Sequence, residues 1–116
     1  MTGPVGDRGE QTAAEYLLRE GYEILQRNFR FGRGEIDLIA RKEGTIVFVE
    51  VKTRRNDSYG EPEEAVTPDK VRRIRRVASA YLSARRMGEC DCRFDVVAVM
   101  YAGGAPVVRH TMDIFS

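Results

Sequence analysis

The chain has 116 residues, 42% of them hydrophobic, with a net charge of +1, two cysteines and one histidine. That length fits one domain over residues 1–116, and the apolar content is enough for a core without disulfide or metal staples. The longest apolar run, Val96 to Ala102, is too short to span a bilayer, and Asp7, Arg8 and Glu10 argue against a signal peptide. A soluble, cytoplasmic protein with no membrane partner is therefore expected.

A first helix is predicted from about Asp7 to Glu20, with Asp7 as N-cap and Gly21 as the stop. Tyr22 to Phe31 reads as a loosely alternating strand, broken by Gly32 and Gly34. Gly34 to Ala40 and Val47 to Thr53 largely alternate at period two, and Glu43-Gly44 suits a two-residue hairpin turn between them. Arg54 to Val66 contains Asn56, Asp57, Ser58, Gly60 and Pro62 and is predicted as a polar loop. Thr67-Pro68-Asp69 then starts a second helix, combining a capping hydroxyl, a proline at the first helical position and an early acid. Its apolar stripe is Val71, Ile74, Ala78, Tyr81 and Leu82, and Gly88 ends it. Phe94 to Tyr101 is a buried strand, and Gly103-Gly104 turns it toward a last strand around Val107 to Met112. The order αβββαββ includes a strand–helix–strand crossover, which makes the third and fourth strands parallel. The expected fold is α/β, a central mixed five-stranded sheet flanked by helices.

The hairpin carries the chemistry. If Lys42 pairs with Thr45 across the turn, Asp37 stands opposite Glu50 and Glu35 opposite Lys52. Two carboxylates facing across a ladder repel each other, and a divalent cation would turn that repulsion into ligation. Asp37 and Glu50 offer hard oxygen ligands suited to magnesium. Lys52, on the face of Glu50, is placed to orient a water, hold a scissile phosphate or stabilise developing negative charge. The chain has sixteen arginines and three lysines, so a lysine here stands out: it supplies a compact charge whose pKa can shift. The competing reading is an exposed Glu35–Lys52 ion pair with no catalytic role. Glu10 shares the apolar stripe of the first helix with Ala13, Ala14 and Leu17. Either it points to the sheet and joins the carboxylates, or Asp7-x-x-Glu10 is a capping box.

Charge is unevenly spread. Lys70 to Arg86 carries seven basic residues and no acid, and Lys52, Arg54 and Arg55 add to that sign. The pattern suits either a polyanion-binding face or a solvated helix surface. In the first case Arg54, Arg55, Lys70, Arg73 and Arg76 are the candidate phosphate contacts. Tyr59 could stack on a base or simply pack within its loop. Cys90 and Cys92 have no second cysteine pair and read as reduced thiols rather than a zinc site.

Asp37 with Glu50-Val51-Lys52 resembles the signature of the PD-(D/E)XK nuclease superfamily, with Ile36 where the label has proline. The whole chain resembles the bacterial YraN family through Gly9-Glu10, Ala13-Ala14, Gly34 to Ala40, Val49 to Arg54 and Arg93 to Val97. In layout it is also similar to archaeal Holliday junction resolvases. The resemblance implies a restriction-endonuclease-like fold, a single endonuclease-like domain, and Glu10, Asp37, Glu50 and Lys52 as the catalytic set. It further implies Mg2+ or Mn2+ held by Glu10, Asp37 and Glu50, and structured or branched DNA, ahead of RNA, as substrate. By analogy alone it suggests a homodimer. Glu35 has no counterpart in that pattern and is taken as auxiliary, and Asp95 as a structural partner. A different class of function is also open: a non-catalytic nucleic-acid-binding or assembly module that keeps the fold.

Overall fold

A computed structural model describes residues 4–55 and 67–114. The elements follow in the order α1 (Pro4–Arg19), β1 (Glu23–Phe31), β2 (Gly34–Lys42), β3 (Thr45–Arg55), α2 (Pro68–Ala84), β4 (Cys92–Tyr101) and β5 (Val107–Thr111). The strands lie in the sheet in the order β1-β2-β3-β4-β5. β3 and β4 are parallel and every other neighbouring pair is antiparallel. The crossover through α2 thus gives the mixed five-stranded α/β sheet that the element order predicts. β3 runs on through Arg54 and Arg55, which the sequence pattern had placed in a loop; Tyr59 lies outside the described residues.

The β2–β3 hairpin has the expected register, from Lys42↔Thr45 to Leu38↔Val49. Glu43 and Gly44 both take positive φ, +51° and +82°, as a primed two-residue turn demands. Alternation along β3 then divides the core into two layers. Val47 and Val49 join Leu38, Ala40, Val97 and Val99 against Ala13, Ala14 and Leu17 of α1. Ile46 and Phe48 join Ile39 against Val77, Ala78 and Tyr81 of α2. One helix therefore covers each face of the sheet. Val77, absent from the predicted stripe, is among the most deeply buried residues of α2, while Ile74 and Leu82 pack at its margin.

Helix ends follow from local bonds. α1 begins at Pro4, so the Asp7 backbone lies inside the helix rather than at its N-cap. At its far end Gly21 sits at φ +91°, Tyr22 N–H donates to Leu17 O at 2.9 Å, and Gly21 N–H donates to Leu18 O at 3.1 Å. This is a Schellman stop. Lys42 Nζ adds a bond to the Glu20 carbonyl at 2.7 Å, placing a cation where the helix dipole favours one. α2 opens as predicted, with Thr67 Oγ1 accepting from Lys70 N–H at 3.2 Å and Pro68 in the first turn.

α2 ends differently from the expectation. Arg86, not Gly88, is the left-handed residue of its stop, at φ +55°; Met87 N–H reaches Leu82 O and Arg86 N–H reaches Ser83 O. A side chain in that conformation is strained by roughly 1–2 kcal/mol. Arg86→Gly should therefore stabilise the fold by about 0.5–1 kcal/mol, after allowing for the entropy glycine adds to the unfolded chain. Urea melts of the two proteins measure this, and an unchanged or lower midpoint would count against the assignment.

Candidate active site

β2 and β3 part where the acids stand. β3 stays paired with β4 as far as Arg55↔Tyr101, but its pairing with β2 stops at Leu38↔Val49. Strict alternation along β2 also fails there: Leu38 and Ala40 belong to the layer under α1, while Ile36 packs in the layer under α2. Asp37 lies at that break. Its Oδ2 accepts from the Val51 N–H at 2.8 Å, bridging the two strands beyond the end of the ladder. Asp37 and Glu50 keep the sequence register but are not a ladder pair, so they meet at an opening in the sheet.

The electrostatics of the opening are unusual. Burial pushes the Asp37 carboxyl up to about 7, against the Val51 bond that lowers it, and the charges of Glu10, Glu35 and Glu50 add to the rise. Glu10 lies on α1 at only 8% exposure, beside Gly9. A Cβ at Gly9 would overlap Thr53 Oγ1 on β3, so glycine is what lets this turn of the helix approach the strand. Of the two readings of Glu10, its burial and its effect on Asp37 favour the one that turns it to the sheet.

Glu50 is shared between two ammonium groups. Lys52 Nζ lies 3.3 Å and Lys70 Nζ 2.6 Å from the same Oε1 atom. The other oxygen, Oε2, is buried without a hydrogen-bond partner among the described residues. A buried carboxylate oxygen normally has a donor, so an orphaned one calls for an explanation. Burial draws the Lys52 ammonium below its ordinary range, opposed by Glu50 and reinforced by Lys70. The competing Glu35–Lys52 ion pair does not form; Glu35 binds Arg30 of β1 at 2.6 Å.

Among the described residues no group of three or more His, Cys, Asp or Glu side chains is placed to hold a metal ion. The donors are nevertheless of the right kind: Asp37, Glu50 and Glu10 supply hard oxygens, one of them unpartnered among the described residues, and the carboxylate repulsion that adds to the effect of burial on Asp37 is what a divalent cation would relieve.

Lys70 was expected as a phosphate contact, and its place on Glu50 was missed. The signal was present in the composition, because it is one of only three lysines in an arginine-rich chain. Arg73 and Arg76 are exposed on α2, as a polyanion-binding face requires. Arg54 is half-buried and donates to the Thr53 carbonyl at 3.1 Å. The Arg55 side chain lies outside the described residues.

Asp95 belongs to a separate network. Arg93 Nε and Nη2 donate to its two oxygens at 2.9 Å each, His110 Nε2 lies 2.7 Å from Oδ2, and Asp113 N–H donates to Oδ1 at 3.0 Å. Tyr22 OH accepts from Arg93 and Tyr16 OH bonds His110 Nδ1, so the chain's one histidine ties β5 to β4 and α1. Burial alone would raise the Asp95 carboxyl, but His110, Arg93 and the Asp113 N–H hold it below the usual range. Cys90 and Cys92 are free, their sulfurs 3.7 Å apart, and burial and its neighbour push Cys92 up to about 11. No helix among the described residues is long and apolar enough to cross a membrane.

Fold and site together describe a small α/β domain with an acidic, lysine-lined opening at a strand separation. A family model described as Uncharacterised protein family UPF0102 matches residues 9–99, and the chain belongs to that family. It is 50% identical over 113 residues to a UPF0102 protein of Trichlorobacter lovleyi, covering 96% of this chain and 89% of that one. A UPF0102 protein of Symbiobacterium thermophilum is 57% identical over 99 residues (85% and 84% of the two chains). One from Syntrophomonas wolfei is 43% identical over 115 residues, 99% of this chain and 100% of its own.

Two stability measurements separate the networks. The raised Asp37 carboxyl keeps its proton in the folded state between its unfolded value, 3.8, and about 7, so in chelator wild-type stability should fall as pH rises through that window and level off above it. Asp37→Asn should remove this slope and melt above wild type at pH 8; parallel pH curves would disprove the raised Asp37 carboxyl. Asp95→Ala should cost about 3 kcal/mol at neutral pH by stranding the half-buried Arg93 guanidinium and the buried His110 ring, measurable by urea unfolding.

Proposed function

We propose that this protein is a metal-dependent endonuclease that hydrolyses phosphodiester bonds of structured or branched DNA. The observation that carries the reading is the opening at Asp37 and Glu50, two carboxylates of separated strands with the orphaned Glu50 Oε2 and Lys52 alongside. Likeness of the Asp37…Glu50-Val51-Lys52 pattern to the PD-(D/E)XK signature supports it, as does the mixed sheet. Asp37, Glu50 and Glu10 would hold Mg2+ or Mn2+. Such an ion, when bound, supplies Lewis acidity toward the scissile phosphate and lowers the pKa of water.

The chain's own groups do the rest. Lys52, its Nζ 3.3 Å from Glu50 Oε1, is placed to meet the negative charge that develops on the phosphoryl oxygens. Lys70 neutralises Glu50 in the resting protein and can turn to a phosphate when a cation takes the carboxylate. Arg73 and Arg76 on the exposed face of α2 position the backbone of nucleic acid without reading its sequence. The same Lys52–Glu50–Lys70 contact favours a second reading, a non-catalytic nucleic-acid-binding module whose carboxylate is permanently neutralised.

A cleavage panel of four-way junctions, flaps, single strands, duplexes and structured RNA, with Mg2+ or Mn2+, decides between them. Wild type should cut at least one DNA structure, and Asp37→Asn, Glu50→Gln and Lys52→Met should each lower the rate by about 10²–10³-fold without unfolding the protein. Binding without any cut would make it the binding module. Cleavage of RNA alone would change the substrate class, and activity surviving in Glu50→Gln would place the centre elsewhere.

A further inference from the structure

Beside Glu50, between α2 and the sheet, lies a cavity of about 290 Å3. Its two sides differ in chemistry. The apolar wall is formed by Ile36, Phe48, Ile74, Phe94 and Ile114; the polar wall adds Arg33, Lys70 and Arg73 to the carboxylates of Glu35 and Glu50. Phe94 is partly exposed and already stacked on Phe48, with centroids 5.3 Å apart and planes 25° from parallel. Arg73 is exposed, and Lys70 spans the wall between the cavity and the Glu50 carboxylate.

We infer that this cavity receives one unpaired nucleotide of the nucleic acid held at the Asp37–Glu50 opening; the inference rests on the nuclease reading and narrows its substrate class. Each part of a nucleotide meets its complement. The flat base lies against the partly exposed Phe94 ring, which Phe48 backs from the core, and against Ile74, which exclude water from its faces. Glu35 and Glu50 offer acceptors to ring or exocyclic N–H groups, while Arg33, Lys70 and Arg73 meet the flanking phosphates. The volume is at the small end of ligand cavities, about 300 Å3 upward, which admits one ring with its sugar and excludes a base pair. A base must leave its stack to enter, and that is easiest at a bulge, flap or junction, where pairing is already broken. Because Lys70 contacts both places, filling the cavity brings a phosphate to the ammonium that otherwise neutralises Glu50.

The test reads the cavity without cleavage. In EDTA, the protein with 13C-labelled isoleucine methyls is titrated with the dinucleotide pTpT and, in parallel, with an abasic analogue of the same charge. Ring-current shifts are expected at Ile36, Ile74 and Ile114 with pTpT only, and not at Ile24, which packs in the opposite layer. Duplexes carrying a one-nucleotide bulge should bind about tenfold or more tightly than fully paired ones. Ile74→Trp, which fills the cavity, should abolish that preference and leave paired-duplex affinity unchanged. Should that variant fail to fold, Ile114→Trp, which fills the cavity from another part of its apolar wall, should abolish the preference by itself. Identical shifts from the abasic ligand, or an equal preference in a folded Ile74→Trp, would overturn the inference. Silent methyls combined with cleavage in the panel would reject the cavity and leave the nuclease reading standing. Shifted methyls without any cut would do the reverse.

Discussion

The structure depends on unequal pairing along the two sides of β3. On the β4 side the ladder continues to Arg55↔Tyr101, while on the β2 side it stops at Leu38↔Val49. Glu50 and Lys52 are therefore held by a central strand packed between the two helices, beside the gap that β2 leaves, and both stay partly exposed. A strand with both ladders complete would have sealed the opening, and one with neither would have left the acids on a mobile segment. The parallel pairing with β4, made possible by α2, is what keeps the exposed part of β3 rigid.

Two clusters of buried charge show how differently the same residue types can be used. Asp95 receives donors on both oxygens from Arg93, His110 and a backbone amide, and it joins β4, β5 and α1. Such a fully satisfied network rigidifies a core. At the opening, by contrast, Glu50 directs one oxygen to two ammonium groups and the other to none, and Asp37 is destabilised in its charged form. That imbalance weakens the fold locally, as the proposed role of the opening in binding asks.

Much of this was legible in the sequence. Glu43-Gly44 set the register of the hairpin, Thr67-Pro68 set the start of α2, and Gly21 set the end of α1, because each signal is a local steric or hydrogen-bonding demand. What escaped were features decided by tertiary contact. Arg86 adopts a left-handed stop although glycine stood two residues on, since the helix ends where Met87 and Leu82 can bond. Lys70 looked like one more cation of a basic helix, and only the crossing of α2 over β3 brings it to Glu50. The break in alternation at Asp37 was likewise invisible, because a period-two pattern cannot announce where a neighbouring strand departs.

Gly9 carries no functional group, yet it acts as a gauge for the site. Its missing side chain lets α1 rest on Thr53, the residue after Lys52. The helix that presents Glu10 and the strand that presents Lys52 thus share one bearing point, and the gap between their charges is set by the thickness of a backbone. Any substituent at that point would act as a shim, separating Glu10 from Asp37 while every polar side chain stayed in place. The geometry of this acidic opening is therefore held to tolerance by the smallest residue in the chain.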